Sequence, residues 1–206
     1  MAEETISEPR RPARIGSLAN LLGIARILST PVVIALILIA EPGMGIAAFV
    51  LFCLAAFTDF LDGWVARARG EVSPLGVFMD LTADKVLVSG VLVAMVEVDL
   101  LPTWIVATIL VRELVIAGVR QMAAAENVVI PARALGKAKT LTTLVGMAIL
   151  LLAHDAATGG PLAATGVGPG VQIVGAWVMV AATVLTVVSG WDYLHGALPL
   201  LRGKPG

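Results

Sequence analysis

Apolar residues run along this chain in blocks of about 20, the length a helix needs to cross a bilayer's hydrocarbon, with Gly, Pro or charge at the block ends. Six such blocks occur, with approximate limits 18–40, 45–68, 75–96, 101–125, 135–153 and 171–194. The connections at 41–44, 70–74, 98–100 and 127–134 are short, and only 154–170, rich in Gly, Ala, Thr and Pro, reads as a longer loop. The first block is too long for the apolar part of a signal peptide. Glu41-Pro42-Gly43 after it offers no small-residue cleavage pattern, so a retained span is expected. Residues 1–14 mix both signs of charge with two prolines and read as a disordered cytoplasmic tail; 15–206 reads as one domain.

Composition agrees with the pattern. Of 206 residues 58% are hydrophobic and 14% charged, with a mean hydropathy of +0.95, far from a soluble domain. The predicted fold is an all-α membrane protein, a six-transmembrane-helix bundle. A net charge of -1 gives no reason to expect a nucleic-acid partner. Cys53 is the one cysteine and lies in an apolar block, which excludes an intrachain disulfide or a cysteine metal site and leaves a small buried thiol.

Where the cations fall sets the orientation. Arg10, Arg11 and Arg14 precede the first span, Arg67 and Arg69 end the second, Arg120, Arg133, Lys137 and Lys139 surround the junction of the fourth and fifth, and Arg202 and Lys204 follow the sixth. The opposite connections contain neither Lys nor Arg. Cytoplasmic ends of spans retain basic residues, so both termini are expected on the cytoplasmic side of the cell membrane. Arg26, Lys85 and Arg112 fall inside predicted spans, where a charge marks function or an ion pair.

The segment 59-DFLDGWVARARGEVSPLGVFMDLTADK-85 carries the candidate chemistry. At about 3.6 residues per turn, Asp59, Asp62, Gly63 and Ala66 share a stripe of the second span, and Gly76, Asp80 and Asp84 share one of the third. A five-residue connection predicts that the two helices are antiparallel neighbours, bringing two carboxylates from each into one cleft. Four ionised carboxylates there would repel one another unless cations neutralise them. An all-oxygen ligand set favours Mg²⁺ or Mn²⁺, and two ions, roughly 3.5–4 Å apart, suit four ligands and a phosphate-bearing substrate. Gly63 and Gly76 leave helix surfaces bare, for a bulky ligand or for close helix packing. Arg67 offers a guanidinium suited to phosphate, or serves topology at the interface.

These residues resemble the signature of the CDP-alcohol phosphotransferases. Asp59-x2-Asp62-Gly63-x2-Ala66-Arg67-x8-Gly76-x3-Asp80-x3-Asp84 matches it at eight fixed positions over 26 residues, and the six-span layout extends the resemblance over most of the chain. The resemblance implies an enzyme of phospholipid biosynthesis that joins an alcohol to a CDP-linked partner and releases CMP, with two divalent cations held by Asp59, Asp62, Asp80 and Asp84. Asp84 is implied to be also the catalytic base. Gly63, Ala66 and Arg67 are implied to contact the cytidine diphosphate of CDP-diacylglycerol, with Gly76, Ser73 and Asn20 as weaker candidates; Asn20 could equally begin its helix.

The segments 110-LVRELVIAGVRQ-121 and 135-LGKAKTLTT-143 resemble the bacterial branch of that family whose acceptor is sn-glycerol 3-phosphate. A phosphorylated acceptor needs cations, and Arg112, Arg120, Lys137 and Lys139 are the candidates for its phosphate. Against this, Lys137, Lys139 and Arg133 could serve topology alone, and Arg112 could pair with Glu113 or an aspartate. Other acceptors within the family are phosphatidylglycerol, giving cardiolipin, and inositol phosphate. A reading of another class, a divalent-cation or proton transporter, would spread acidic residues through the membrane depth, whereas these four cluster toward one face.

Smaller expectations complete the reading. Lys85, adjacent to Asp84, is expected to balance charge or touch a neighbouring helix. Trp191 and Tyr193 read as an interfacial aromatic belt. His154 and Asp155 should lie far from the cleft, and the small residues Gly146 to Ala148 and Ala181-Ala182 could serve a homodimer contact or internal packing equally well.

Overall fold

The computed structural model describes the backbone of residues 18–69, 74–125 and 134–201 and the side chains of 21–58, 82–125 and 134–197. Six α-helices follow in order: α1 (Leu18–Ile39), α2 (Met44–Arg69), α3 (Pro74–Glu97), α4 (Thr103–Ala125), α5 (Ala134–Ala157) and α6 (Gly168–Leu201), with a short 3-10 turn at Ala163–Thr165. Each apolar block has become one helix. Among the described residues there is no strand.

The helices are apolar around most of their circumference, so some large side chains must face outward. Leu28, Phe57, Leu114, Leu141, Ile173 and Trp177 are each more than half exposed. A surface of that kind suits lipid and not water. The stretches Leu21–Ile39, Ala134–Ala157 and Gly168–Ala197 are each long and apolar enough to cross a membrane, which makes this a multi-pass membrane protein. The 34 residues of α6 are about 51 Å long, more than the hydrocarbon thickness, so this helix continues past it.

One apolar core draws on all six helices, including Ile37 of α1, Phe52 of α2, Leu92 of α3, Ile109 of α4, Leu150 of α5 and Met179 of α6. The broadest seam joins α5 to α6, α1 packs on both α2 and α3, and α4 rests on α6 while α2 rests on α5. Glycines permit the close seams. A Cβ on Gly146 would meet the Met179 side chain at 2.6 Å, and one on Gly90 would meet Ile34 and Thr30 at 3.0 and 3.1 Å. Gly146 and the fully buried Ala182 therefore serve internal packing.

The described parts of α2 and α3 both lie mainly on α1, and the facing ends on which the predicted cleft depends lie outside the residues whose side chains are described. α3 touches α4 only slightly, and space is left between them. One expectation needs correction, that 154–170 is loop from its first residue. α5 continues to Ala157 because His154 and Asp155 are built into the fold. His154 Nε2 lies 3.0 Å from the carbonyl oxygen of Ile37, near the end of α1. Asp155, with no exposure, accepts backbone N–H bonds from Ile46 at 3.3 Å and Leu162 at 3.1 Å. The helix then stops at Gly159, whose φ of +79° allows the N–H of Gly160 to reach the Asp155 carbonyl at 2.8 Å.

Candidate active site

The gap between α3 and α4, closed on a third side by α5, is a cavity of about 330 Å³. Asp84, Lys85, Val88 and Ser89 line it from α3; Ile109, Leu110, Glu113, Leu114 and Ala117 from α4; Lys139, Thr140, Thr143 and Leu144 from α5. Most of its wall is apolar, and Asp84, Lys85, Glu113 and Lys139 bring charge to it. His154 and Asp155 are 15 or more residues along α5 from Lys139, about 22 Å of helix, so they belong to the opposite end of the bundle, as expected.

Asp84 is partly buried, and its carboxylate feels the charges of Arg26, Lys85, Lys139 and Glu113. Arg26 is almost completely buried in α1, and its carbonyl accepts bonds from the hydroxyls of Ser29 at 2.9 Å and Thr30 at 3.0 Å. That arginine, inside an apolar span, is thus turned to the acidic end of α3.

Glu113 is the hub of the cluster. Its Oε1 accepts from Arg112 Nη1 at 2.9 Å and from Lys139 Nζ, and its Oε2 lies 3.6 Å from Lys85 Nζ. Lys139 is buried and Lys85 partly exposed. Three cations on three helices meet one carboxylate, and with Arg26 and Asp84 counted the cluster keeps an excess of positive charge against apolar walls. Such an arrangement is costly without anions and draws them in.

α6 supplies a second tier. Arg112 Nη2 donates to Ser189 Oγ at 3.1 Å, and that hydroxyl donates to the Thr186 carbonyl at 3.2 Å. Gly190 lets the arginine stem lie against α6, since a Cβ there would sit 3.1 Å from Arg112 Cγ. Arg120, two turns along α4, donates through Nε to the Tyr193 hydroxyl at 3.2 Å, with its guanidinium carbon 5.3 Å from the ring centre.

The predicted residues separate accordingly. The structure brings Asp84, Arg112 and Lys139 to one cluster and adds Lys85 to it. Arg120 is held by Tyr193 and is not in the cavity wall, and Lys137 is exposed. The pairing of Arg112 with Glu113 and the neighbouring-helix contact of Lys85 are both present. Tyr193 corrects the aromatic-belt expectation: Trp191 is exposed and meets the His195 ring in a tilted contact with ring centres 4.4 Å apart, but Tyr193 is buried. Glu113 as a hub, Ser189 and Gly190 were missed. The signal for Glu113 was a lone acid in an apolar run; α6 gave none.

Asp59, Asp62, Gly63, Ala66, Arg67, Gly76, Asp80 and Asn20 lie on helical backbone, with side chains outside the described residues; Ser73 and Arg133 lie wholly outside them. Unbroken helix over 59–66 and 76–84 keeps the i, i+3 and i, i+4 spacing on which the shared stripes depend. The donor set is four carboxylates with no sulfur or imidazole among them, which fits a hard divalent cation.

Residues 16–188 match the family model for CDP-alcohol phosphatidyltransferase. The chain is 38% identical over 152 residues, 74% of each chain, to the Bacillus subtilis CDP-diacylglycerol--glycerol-3-phosphate 3-phosphatidyltransferase. It is 33% identical over 194 residues, 93% of this chain and 86% of the relative, to a probable phosphatidylglycerophosphate synthase of Mycobacterium tuberculosis H37Rv. A third relative, the Rickettsia bellii CDP-diacylglycerol--glycerol-3-phosphate 3-phosphatidyltransferase, is 33% identical over 180 residues, 86% of this chain and 93% of the relative. The chain belongs to the CDP-alcohol phosphatidyltransferase family. It is accordingly a membrane-embedded transferase, and the ion-pathway reading falls away.

Proposed function

We propose that this protein transfers the phosphatidyl group of CDP-diacylglycerol to sn-glycerol 3-phosphate, giving phosphatidylglycerophosphate and CMP. The observation that carries the acceptor assignment is the convergence of Lys85 and Lys139 beside Asp84 in one cavity, with Arg112 joined to them through Glu113. A phosphate monoester needs several donors, and a neutral alcohol would leave that cluster unmatched. The names of the relatives support the same acceptor.

The acyl chains of the donor would stay in lipid while its cytidine diphosphate lies against Gly63, Ala66, Arg67, Gly76, Ser73 and Asn20. The acceptor enters from the cytoplasm, the side to which the Lys and Arg residues assign this end of the bundle. Its phosphate is held by Lys139 and Arg112 with Lys85 alongside, while Arg120 and Lys137 add to the field that draws it in. The free hydroxyl is then aimed at the phosphatidyl phosphorus, and its proton passes to the Asp84 carboxylate. The new O–P bond forms as the pyrophosphate P–O bond to CMP breaks. Asp59, Asp62, Asp80 and Asp84 are suited to hold two Mg²⁺ or Mn²⁺ ions, which would supply charge neutralisation at the leaving phosphate. Because a carboxylate near cations is a weak base, its placement by α3 matters more than its basicity.

The test uses detergent-solubilised protein with CDP-diacylglycerol and, in turn, glycerol 3-phosphate, phosphatidylglycerol and inositol phosphate, with CMP release recorded. Turnover is expected with the first. Release only with one of the others would replace the acceptor assignment.

A further inference from the structure

We propose that Glu113 is a positioning residue for the acceptor: it holds the Lys139 ammonium inside the apolar cavity, between Arg112 and Lys85, and sets the cluster's charge for a phosphate dianion. This rests on the acceptor assignment above. Lys139 is buried on α5 and lines the cavity together with Val88, Ile109, Leu110 and Leu144, where a lone ammonium would lose hydration with nothing to offset it. Glu113 is the counter-charge that keeps it in place. Arg112 Nη1 and Lys139 Nζ share its Oε1, so the two cations are fixed relative to each other across the α4 and α5 surfaces.

The sharing leaves donors to spare. Lys139 has three N–H bonds to give and Arg112 five. Arg112 Nε is buried with no hydrogen-bond partner, and Nη2 is occupied by Ser189. Lys85, Arg112 and Lys139 against the carboxylates of Glu113 and Asp84 leave a surplus of one, and Arg26, whose charge acts on Asp84, raises it to two, the charge of an ionised phosphate monoester. A further carboxylate at this point would halve that surplus, and loss of Glu113 would leave Lys139 without its anchor. Glu113 touches neither the attacking hydroxyl nor the leaving group in this scheme; it acts through Lys139 and Arg112.

The experiment compares purified full-length protein with its Glu113→Gln, Glu113→Asp, Lys139→Gln and Glu113→Gln/Lys139→Gln variants, all with CDP-diacylglycerol and varied glycerol 3-phosphate. Glu113→Gln is expected to raise the KM for glycerol 3-phosphate about tenfold to a hundredfold, the worth of one or two hydrogen bonds to a charged group. The KM for CDP-diacylglycerol should stay within about twofold, and kcat at saturating acceptor should be largely kept. Glu113→Asp should recover part of the acceptor KM. The double variant should be no worse than Lys139→Gln alone, because the two residues act as one unit. Equal shifts of both KM values, a fall confined to kcat, or additive losses in the double variant would overturn the proposal. Should Glu113→Gln not survive purification, Glu113→Asp is held to the same test: a KM rise for the acceptor alone supports the proposal, and equal shifts overturn it. Absence of turnover of glycerol 3-phosphate by the unaltered protein would sink the acceptor assignment itself, and that is read before any variant is made.

Discussion

The Asp155 carboxylate accepts a hydrogen bond from the backbone N–H of Ile46 at 3.3 Å, across 109 residues of sequence. The first N–H groups of a helix have no intrahelical partner, so α5 supplies from afar the cap that α2 lacks locally. The same carboxylate holds Leu162 and would collide with any side chain at Gly160, while a Cβ on Gly45 would collide with the Asp155 backbone. Asp155→Ala would leave two partly buried amides unpaired and should cost about 2 kcal/mol of stability. A lowered thermal midpoint in detergent, with both KM values unchanged, is the expected result.

Lys137 and Lys139 are two residues apart, yet one is exposed and the other buried against Glu113. An exposed cation attracts an anion only through a screened field, whereas a buried one can donate directly. Lys137→Gln should therefore change the acceptor KM by about twofold, an effect that vanishes in high salt. Lys139→Gln should raise it at least about tenfold at any salt concentration.

Gly190 fixes where the Arg112 stem can run. A Cβ there would stand 3.1 Å from Arg112 Cγ, and the branched side chain of Gly190→Val adds further atoms on the same face. The arginine must then leave Ser189, which weakens its hold by about 1–2 kcal/mol. Steady-state kinetics should show a rise in the acceptor KM with little change for CDP-diacylglycerol.

Asp80→Asn removes one of the four carboxylates assigned to the divalent cations. Loss of charge neutralisation at the leaving group is worth several kcal/mol, so turnover should fall about a thousandfold and not be restored by more acceptor. Chelation with EDTA should abolish activity in the unaltered protein, and added Mg²⁺ or Mn²⁺ should restore it.

Much of the bundle was legible in the chain because apolar length and helix formation obey local rules. In lipid a polypeptide segment must satisfy its own backbone, and about 20 apolar residues have few other ways to do so. The limits of α1 to α4 follow the apolar blocks within one or two residues. The end of α5 did not, since what prolongs it is a pair of polar side chains whose partners lie on α1 and α2. Tyr193 escaped for the same reason. Its position beside Trp191 suggested a shared interface, but a helix sends such neighbours in different directions, and only Arg120 on α4 shows which is buried.

Hydrophobic length, the spacing of Asp59, Asp62, Asp80 and Asp84 and the one-sided placement of Lys and Arg were fixed by the order of residues alone, because each is a property of one helix or one connection. Tertiary structure decided which cations meet. Lys85, Arg112 and Lys139 stand on three helices, and although Glu113 adjoins Arg112 in the chain, nothing local to Lys85 or Lys139 points to it as their common partner. That choice follows from α3 and α4 lying apart, with α5 closing the space between them, so that charge excluded from the apolar walls gathers at one carboxylate.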